Sequence, residues 1–167
     1  MRNSTVSNIV GFISFVFLQV FILNHVDFLG YVNPYLYIIF ILFLPIGMKQ
    51  WKVLILSFLL GLVMDIFDDS GGIHTSACLV IAYFRPFFLQ TSFGLSFDNR
   101  TINFYRSPFK ERFLYILLMV LVHHLVLFSL VFFDFSHVFL ILKNVIFSGI
   151  FTSLLIMITM VLLRRSK

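Results

Sequence analysis

Two groups of ionisable side chains lie within or beside long apolar stretches of this sequence. Asp65 is near the end of one stretch, and His74 follows it after a short glycine-containing turn. His123 and His124 are adjacent in the middle of another stretch. Carboxylates and imidazoles can bind metals, carry protons or hydrogen-bond to a neighbouring helix, so their spacing and depth decide which role applies.

Asp65 continues a stripe of small and polar residues along one side of a predicted helix. Ser57, Gly61 and Asp65 recur at four-residue intervals, which places them on one helix face. Small residues at this spacing allow a second helix to approach closely. Counted from Trp51 at the expected inner boundary, Asp65 is about 21 Å along the helix, in the outer leaflet. We therefore expect Asp65 to point into a helix–helix contact.

The turn after this helix has the residues of a tight helical hairpin. Gly71 and Gly72 can adopt backbone angles that other residues avoid, and His74 falls in the first turn of the next helix. We hypothesise that Asp65 and His74 meet across this turn and fix the hairpin. A solvated turn with ordinary helix caps explains the same residues, so both interpretations stay open.

His123 and His124 lie near the expected bilayer midplane, about 15 Å along the helix from Phe113. Adjacent residues point about 100° apart, so only one of the two can face a given partner helix squarely. A metal site needs more ligands at usable spacing, but the sequence has one cysteine and no HExxH pattern. Interhelical hydrogen bonding is therefore preferred over a metal site or a proton relay, and we predict no cofactor.

The last apolar stretch carries a second face of small residues. Ser148 and Thr152, and likewise Gly149 and Ser153, are separated by three residues. Such spacing is typical of a helix-packing face. The partner helix can belong to this chain or to another protein.

The elements that must hold these side chains are membrane helices. Apolar residues form 60% of the sequence and charged residues 11%, whereas soluble domains have roughly 45–50% and 25%. The chain of 167 residues has the length of a single domain. A membrane span needs about 20 helical residues, and six stretches approach or exceed this once their flanks are included. They are Ile9–Leu23, Pro34–Met48, Val53–Phe67, Ile73–Leu89, Phe113–Phe133 and Val138–Leu163.

Charged residues indicate how these stretches are oriented. The connections alternate between basic and acidic ones, and an excess of Lys and Arg marks the cytoplasmic side. Lys143 alone among the basic residues lies near an acidic connection. The others are Arg2, Lys49, Lys52, Arg85, Arg100, Arg106, Lys110, Arg112, Arg164, Arg165 and Lys167. The sequence thus predicts an all-α bundle of six transmembrane helices with both termini in the cytoplasm.

Other residues refine this arrangement. Tyr35 and Tyr37 are expected at the outer membrane boundary, where amphipathic rings are favoured. Gln19 is expected to form an interhelical hydrogen bond, and Pro45 to kink the second helix. Residues 90–112 form the largest hydrophilic stretch, a cytoplasmic loop that mixes aromatic and basic side chains. We expect it to lie on the membrane surface rather than to dock a cytoplasmic partner.

The basic character of the chain does not indicate nucleic-acid binding. Its formal net charge is +5, but the cations cluster at the ends of predicted spans, where topology and anionic lipid explain them. The sequence also shows no phosphate-binding loop, no Gly-x-Ser-x-Gly elbow and no acid pair placed for catalysis. These features favour a non-enzymatic membrane protein.

Three segments around the predicted hairpin resemble the bacterial rod-shape-determining membrane protein MreD family. They are GLVMDIF at Gly61–Phe67, GGIHTSA at Gly71–Ala77 and AYFRP at Ala82–Pro86. Length, six-span hydropathy and inside termini agree over nearly the whole chain, whereas the acidic Asp68-Asp69 pair and the long basic loop depart from the commoner pattern. By this resemblance Gly61, Asp65, Gly72 and His74 shape the hairpin, and Arg85 and Pro86 mark where the fourth helix leaves the membrane.

The resemblance implies a scaffold subunit of the cell-elongation, or rod, complex in the bacterial inner membrane. Such a subunit binds MreC, a bitopic membrane protein, and links it to the wall-synthesising polymerase and transpeptidase and to the MreB filament. The family is also similar in fold to the substrate-binding S components of energy-coupling-factor vitamin transporters. A vitamin-binding S component is therefore the alternative function, and an intramembrane enzyme is the least favoured one.

Overall fold

The computed structural model describes residues 4–25, 33–94, 107–133 and 135–163, and these are all-helical with no strand. Short 3-10 turns at Leu23–His25 and Phe135–His137 accompany the α-helices. The helices are α1 (Ser4–Phe21), α2 (Ile38–Phe43), α3 (Gln50–Asp68), α4 (Ile73–Phe93), α5 (Phe109–Phe132) and α6 (Val138–Leu163).

Three of these helices are long and apolar enough to cross a membrane. They are Gln50–Asp68, Phe109–Phe132 and Val138–Leu162. Large apolar side chains cover the outside of the protein, as shown by Phe139 and Val161, which are 89% and 71% exposed. An apolar exterior of this kind is stable in lipid rather than in water. The all-helical, membrane-protein part of the sequence prediction is therefore confirmed.

The long helices form a series of packed neighbours. Helix α3 packs on α4, α4 on α5, and α5 on α6. Their shared core consists of apolar side chains such as Leu60, Met64, Ile81 and Met119, which are fully buried. Each helix in this series buries one side and exposes the other, as a bundle in lipid requires.

Helix α2 differs from the continuous span that the sequence predicts over Pro34–Met48. Only Ile38–Phe43 is helical, a length of about 9 Å. Pro45 does not kink the helix, because Leu44 is already extended with ψ 143°, the conformation favoured before proline. Residues 38–42 are buried on all sides. Helix α2 therefore lies inside the bundle, among α1, α3, α4 and α5.

Helix α4 continues past Pro86, the residue near which the sequence predicts that the helix leaves the membrane. Pro86 lies inside the helix, which continues to Phe93. A proline lacks the N–H that would bond the carbonyl four residues earlier, here that of Ala82. The side chain of Gln50 donates to this carbonyl instead, at 2.7 Å. A neighbouring helix thus satisfies the exposed acceptor and allows α4 to continue.

Arg85 is buried between helices, and its predicted position at the cytoplasmic boundary stays a prediction. Only 2% of the residue is exposed. Its Nε donates to the Tyr115 hydroxyl at 3.2 Å, and its Nη2 donates to the carbonyl of Leu44. Leu44 caps the C-terminus of α2, where unpaired carbonyls and the helix dipole favour a cation. Arg85 therefore fastens α2 to α4 and α5.

The predicted cytoplasmic loop at residues 90–112 is shorter than expected. Helix α4 occupies the first part of it, up to Phe93, and α5 begins at Phe109. Residues 95–106 lie outside the described residues, so the expectation for their position at the membrane surface stays a prediction.

Candidate functional site

The Asp65 carboxylate caps the start of α4 from the preceding helix. Its Oδ1 accepts the His74 backbone N–H at 2.8 Å and the Ser70 hydroxyl at 2.5 Å. Its Oδ2 accepts the Thr75 backbone N–H at 2.9 Å and the Thr75 hydroxyl at 2.5 Å. First-turn N–H groups have no partner within their own helix, and a negative charge is favoured there. Asp65 therefore joins the end of α3 to the start of α4.

Gly61 allows α3 and α4 to touch along the stripe that leads to Asp65. A Cβ atom added at Gly61 would lie 2.4 Å from Thr75 Cα and 2.9 Å from the His74 carbonyl oxygen. Such distances are far below van der Waals contact, so a larger residue cannot fit without separating the helices. Ser57 is also buried on this face. The stripe predicted from four-residue spacing is thus the α3–α4 contact.

The turn between these helices uses left-handed backbone conformations. Gly71 and Gly72 have φ of 63° and 101°, and Asp69 has φ of 47°. Glycine adopts such angles without steric cost, and aspartate tolerates them better than most residues. The turn therefore directs the chain straight from the end of α3 into α4.

Asp65 and His74 do meet across the turn, but through the His74 backbone. The His74 imidazole points elsewhere: its Nε2 is 3.1 Å from Asp68 Oδ2, and its Nδ1 is 2.8 Å from the Tyr37 hydroxyl. The acidic residue that the imidazole contacts is thus Asp68, one helical turn beyond Asp65. The two acids thus have different partners: Asp65 binds the N-terminus of α4, and Asp68 binds the His74 imidazole.

Tyr37 connects His74 to His123 in the interior of the bundle. Its hydroxyl is also 2.8 Å from His123 Nε2, and Tyr37 and His123 are both fully buried. Tyr37 is thus enclosed by protein, and its predicted position at the outer membrane boundary stays a prediction. Its position follows from α2, which enters the bundle instead of running along its surface. Tyr37 is the fourth residue of the apolar stretch Pro34–Met48, and nothing in the sequence around it indicates that its hydroxyl bridges two histidines.

His124 belongs to a second set of bonds that reaches α6. Its Nδ1 is 2.8 Å from the Val120 carbonyl and its Nε2 is 3.2 Å from the Thr152 hydroxyl. Thr152 in turn accepts the Tyr35 backbone N–H at 3.1 Å. Both histidines therefore make contacts between elements, as predicted, and they address different partners because their side chains diverge.

Gln19 ties α1 to the same region. Its Oε1 accepts the Tyr37 backbone N–H at 3.3 Å, and its Nε2 donates to the Pro34 carbonyl and to Asn24 Oδ1 at 2.8 and 2.9 Å. Asn24 then donates to Asp68 Oδ1 at 2.5 Å. We call these two sets of hydrogen bonds together the polar network. It comprises Gln19, Asn24, Tyr35, Tyr37, Asp65, Asp68, His74, His123, His124 and Thr152.

The predicted packing face of α6 lies against α5. Ser148, Gly149, Thr152 and Ser153 are all buried there. A Cβ added at Gly149 would be 3.8 Å from the nearest atom, Leu121 Cδ2, which is an ordinary contact. Close approach thus depends on Gly61 but not on Gly149, a difference that four-residue spacing alone cannot show.

The network is not arranged as a metal centre. Within the described parts of the chain, no three His, Cys, Asp or Glu side chains converge to hold an ion. Cys78, the one cysteine, is buried in the apolar core beside the network. The polar groups bind one another and the helix ends, so the arrangement joins α1, α3, α4, α5 and α6.

Comparison of the chain with known protein families, with curated proteins and with solved structures finds no match.

Proposed function

We propose that this protein is a non-enzymatic scaffold subunit of the bacterial cell-elongation (rod) complex, in the inner membrane. It binds an MreC-like bitopic protein and thereby helps to couple peptidoglycan synthesis to cell shape. The wall-synthesis polymerase and transpeptidase and an MreB-like filament are its indirect partners. The proposal rests on the resemblance of residues 61–86 to the MreD family.

The observation that carries the proposal is that the residues of this motif hold α3 and α4 together. Both oxygens of Asp65 accept bonds from the start of α4, and Gly61 contacts the Thr75 backbone. The motif thus builds a rigid hairpin, and its side chains are engaged in holding it together. A protein whose role is to present a fixed surface to partners in the membrane needs such rigidity.

The proposed topology has six crossings with both termini in the cytoplasm. Alternating acidic and basic connections support it, because Lys and Arg concentrate on the cytoplasmic side of membrane proteins. The second crossing combines the short helix α2 with extended flanks, and irregular backbone at membrane depth is tolerated where protein surrounds it. Single cysteines introduced into a Cys78→Ala background at 27 and 166 test the topology, since an impermeant thiol reagent should label only position 27 in intact cells.

Copurification tests the function. The tagged protein is coexpressed with the MreC-like protein of the same organism, extracted in mild detergent and isolated. We expect the bitopic partner in the eluate in a fixed ratio. Gly61→Ala, whose Cβ collides with the Thr75 backbone, should weaken the association, whereas Gly149→Ala, whose Cβ makes an ordinary contact, should retain it. Isolation of the folded protein without the partner would contradict the proposal.

A vitamin-binding S component is the second candidate. The polar network supports it, because the network brings together more hydrogen-bonding side chains than the sequence indicates. Hydrogen-bonding side chains from several helices converge in the interior of the bundle, as a substrate site of such a protein would require. In this protein they bond to each other, as Tyr37 does to His74 and His123. Mass spectrometry of the same eluate distinguishes the two functions, because a bound vitamin without the bitopic partner would establish the second.

A further inference from the structure

The proton positions along part of the polar network follow from its bonding partners. A carboxylate only accepts hydrogen bonds, so His74 Nε2, 3.1 Å from Asp68 Oδ2, carries a proton. In neutral His74 the Nδ1 atom is then an acceptor, and Tyr37 must donate its hydroxyl proton to it. The Tyr37 oxygen is left to accept the proton of His123 Nε2. The chain of bonds thus has a single direction, from His123 to Asp68.

This assignment leaves one atom without a partner. Neutral His123 carries its proton on Nε2, so its Nδ1 is a bare acceptor. That atom is buried and has no hydrogen-bond partner within the residues that the structure describes. An unsatisfied buried acceptor is destabilising, because its hydrogen bond to water is lost and not replaced. His124 offers a direct contrast, since both of its ring nitrogens are bonded.

We propose that His123, Tyr37, His74 and Asp68 form a proton-binding relay, in which a proton taken up at His123 Nδ1 comes to rest as a positive charge on His74 beside Asp68. The proton comes from water as hydronium. An N–H bond forms at His123 Nδ1 while the Nε2–H bond breaks and its proton passes to the Tyr37 oxygen. The original Tyr37 proton passes to His74 Nδ1. One proton is gained, and the two hydrogen bonds of the Tyr37 hydroxyl reverse their direction, while His74 Nε2–H continues to donate to Asp68.

The location of the charge is what makes this site favourable. A cation on His123 would be fully buried at membrane depth, where a charge is costly. A cation on His74 instead faces a carboxylate whose side chain is 24% exposed. His123 and Tyr37 both stay neutral after uptake, so the relay separates the atom that gains the proton from the residue that carries the charge.

Other titratable groups surround the relay on every side. Tyr35 contacts the rings of His74 and His123 from the segment before α2, and His124 contacts His123 from α5. Asp65 faces it from α3, with its carboxylate already engaged by α4. Cys78 lies on the same side of α4 as His74, beside Tyr37. None of these surrounding groups is an acid that contacts a relay imidazole within the described residues; that contact is made by Asp68, a member of the relay.

Nitrogen NMR of the protein with ¹⁵N-labelled histidine, in lipid nanodiscs, tests the relay. As the sample is acidified, His74 should become doubly protonated. Over the same transition His123 should stay neutral but move its proton from Nε2 to Nδ1. His124 should keep its proton on Nδ1 throughout. A His123 that retains Nε2–H, or becomes a cation itself, or a His74 that stays neutral, would overturn the proposal.

Two variants distinguish a relay from two histidines that change protonation independently over the same pH range. In Tyr37→Phe, His74 should still become charged while the His123 proton no longer moves with it; continued coupling would refute the relay. The His124 signal reports whether this variant is folded. Asp68→Asn removes the counter-charge at a partly exposed site, so the His74 and His123 transitions should shift together to lower pH by about one unit. Asp69→Asn is the matched control and should shift neither; unequal shifts in Asp68→Asn also contradict the proposal.

Discussion

Gly61 lies directly against the backbone of Thr75, so that a Cβ atom at position 61 would be 2.4 Å from Thr75 Cα. The contact lies four residues before Asp65, whose carboxylate binds the Thr75 N–H and hydroxyl. One residue of α4 is therefore held by two residues of α3. The close approach brings Asp65 within reach of the amides that it caps.

Gly61→Ala should destabilise the protein, because the added methyl group collides with backbone atoms that cannot rotate away. Overpacking typically costs about 1–3 kcal/mol, and we expect a value in the upper part of this range. Gly149→Ala is the control, since its new Cβ would meet only side-chain atoms at 3.8 Å or more and alanine favours the helix. Thermal unfolding in detergent, followed by circular dichroism, should show a lower Tm for Gly61→Ala alone. Equal Tm values for the two variants would contradict this account.

Asp65→Asn should also lower stability, by about 1–3 kcal/mol. The amide replaces one accepting oxygen with a donor, which then faces the N–H and hydroxyl of Thr75 or the N–H of His74. Asp69→Asn changes the same charge at an exposed position, where asparagine tolerates the left-handed backbone. Denaturant titration should therefore separate the two substitutions. A loss of the same size in Asp69→Asn would show that net charge, rather than the cap, matters.

Hydropathy predicts the long helices well because the property that defines them, a continuous run of apolar residues, can be read from neighbouring positions in the sequence. A helix such as α6 must be apolar along its whole length, and the predicted stretch Val138–Leu163 has the bounds of the observed helix. Four-residue spacing similarly predicts the α3–α4 stripe. The short length of α2 is not predicted, because a segment buried in protein on all sides has the same composition as one facing lipid. Hydropathy therefore cannot distinguish the short α2 from a spanning helix.

The polar network is less predictable because its bonds join distant parts of the chain. Tyr37 is 37 residues from His74 and 86 residues from His123, and no local pattern relates such positions. The continuation of α4 through Pro86 is hard to predict for a similar reason, since a proline ends a helix only if the exposed carbonyl finds no other donor. Gln50, 32 residues from Ala82, supplies that donor.

The bond from Gln50 to the Ala82 carbonyl should matter only because Pro86 is present. Gln50→Leu removes the donor and leaves a buried acceptor unsatisfied, at a cost of about 1–3 kcal/mol. In a Pro86→Ala background, the new N–H at position 86 can bond the Ala82 carbonyl within α4. The same Gln50→Leu change should then cost little. A double-mutant cycle of unfolding free energies measures this coupling, and additive effects would contradict the assigned role of Gln50.

Thr152→Val should weaken the attachment of α6 to the rest of the bundle. The substitution keeps the shape of the side chain but removes the hydroxyl between Tyr35 N and His124 Nε2. Interhelical hydrogen bonds in membrane proteins contribute on average about 0.6 kcal/mol, and we expect about 1 kcal/mol or more because two bonds are lost. Thr159→Val is the matched control on the same helix, since that hydroxyl donates only to the Leu155 carbonyl one turn earlier. In ¹⁵N spectra, Thr152→Val should shift the His124 Nε2 resonance while Thr159→Val leaves it in place. An unchanged His124 signal in Thr152→Val would show that Thr152 does not bond this ring.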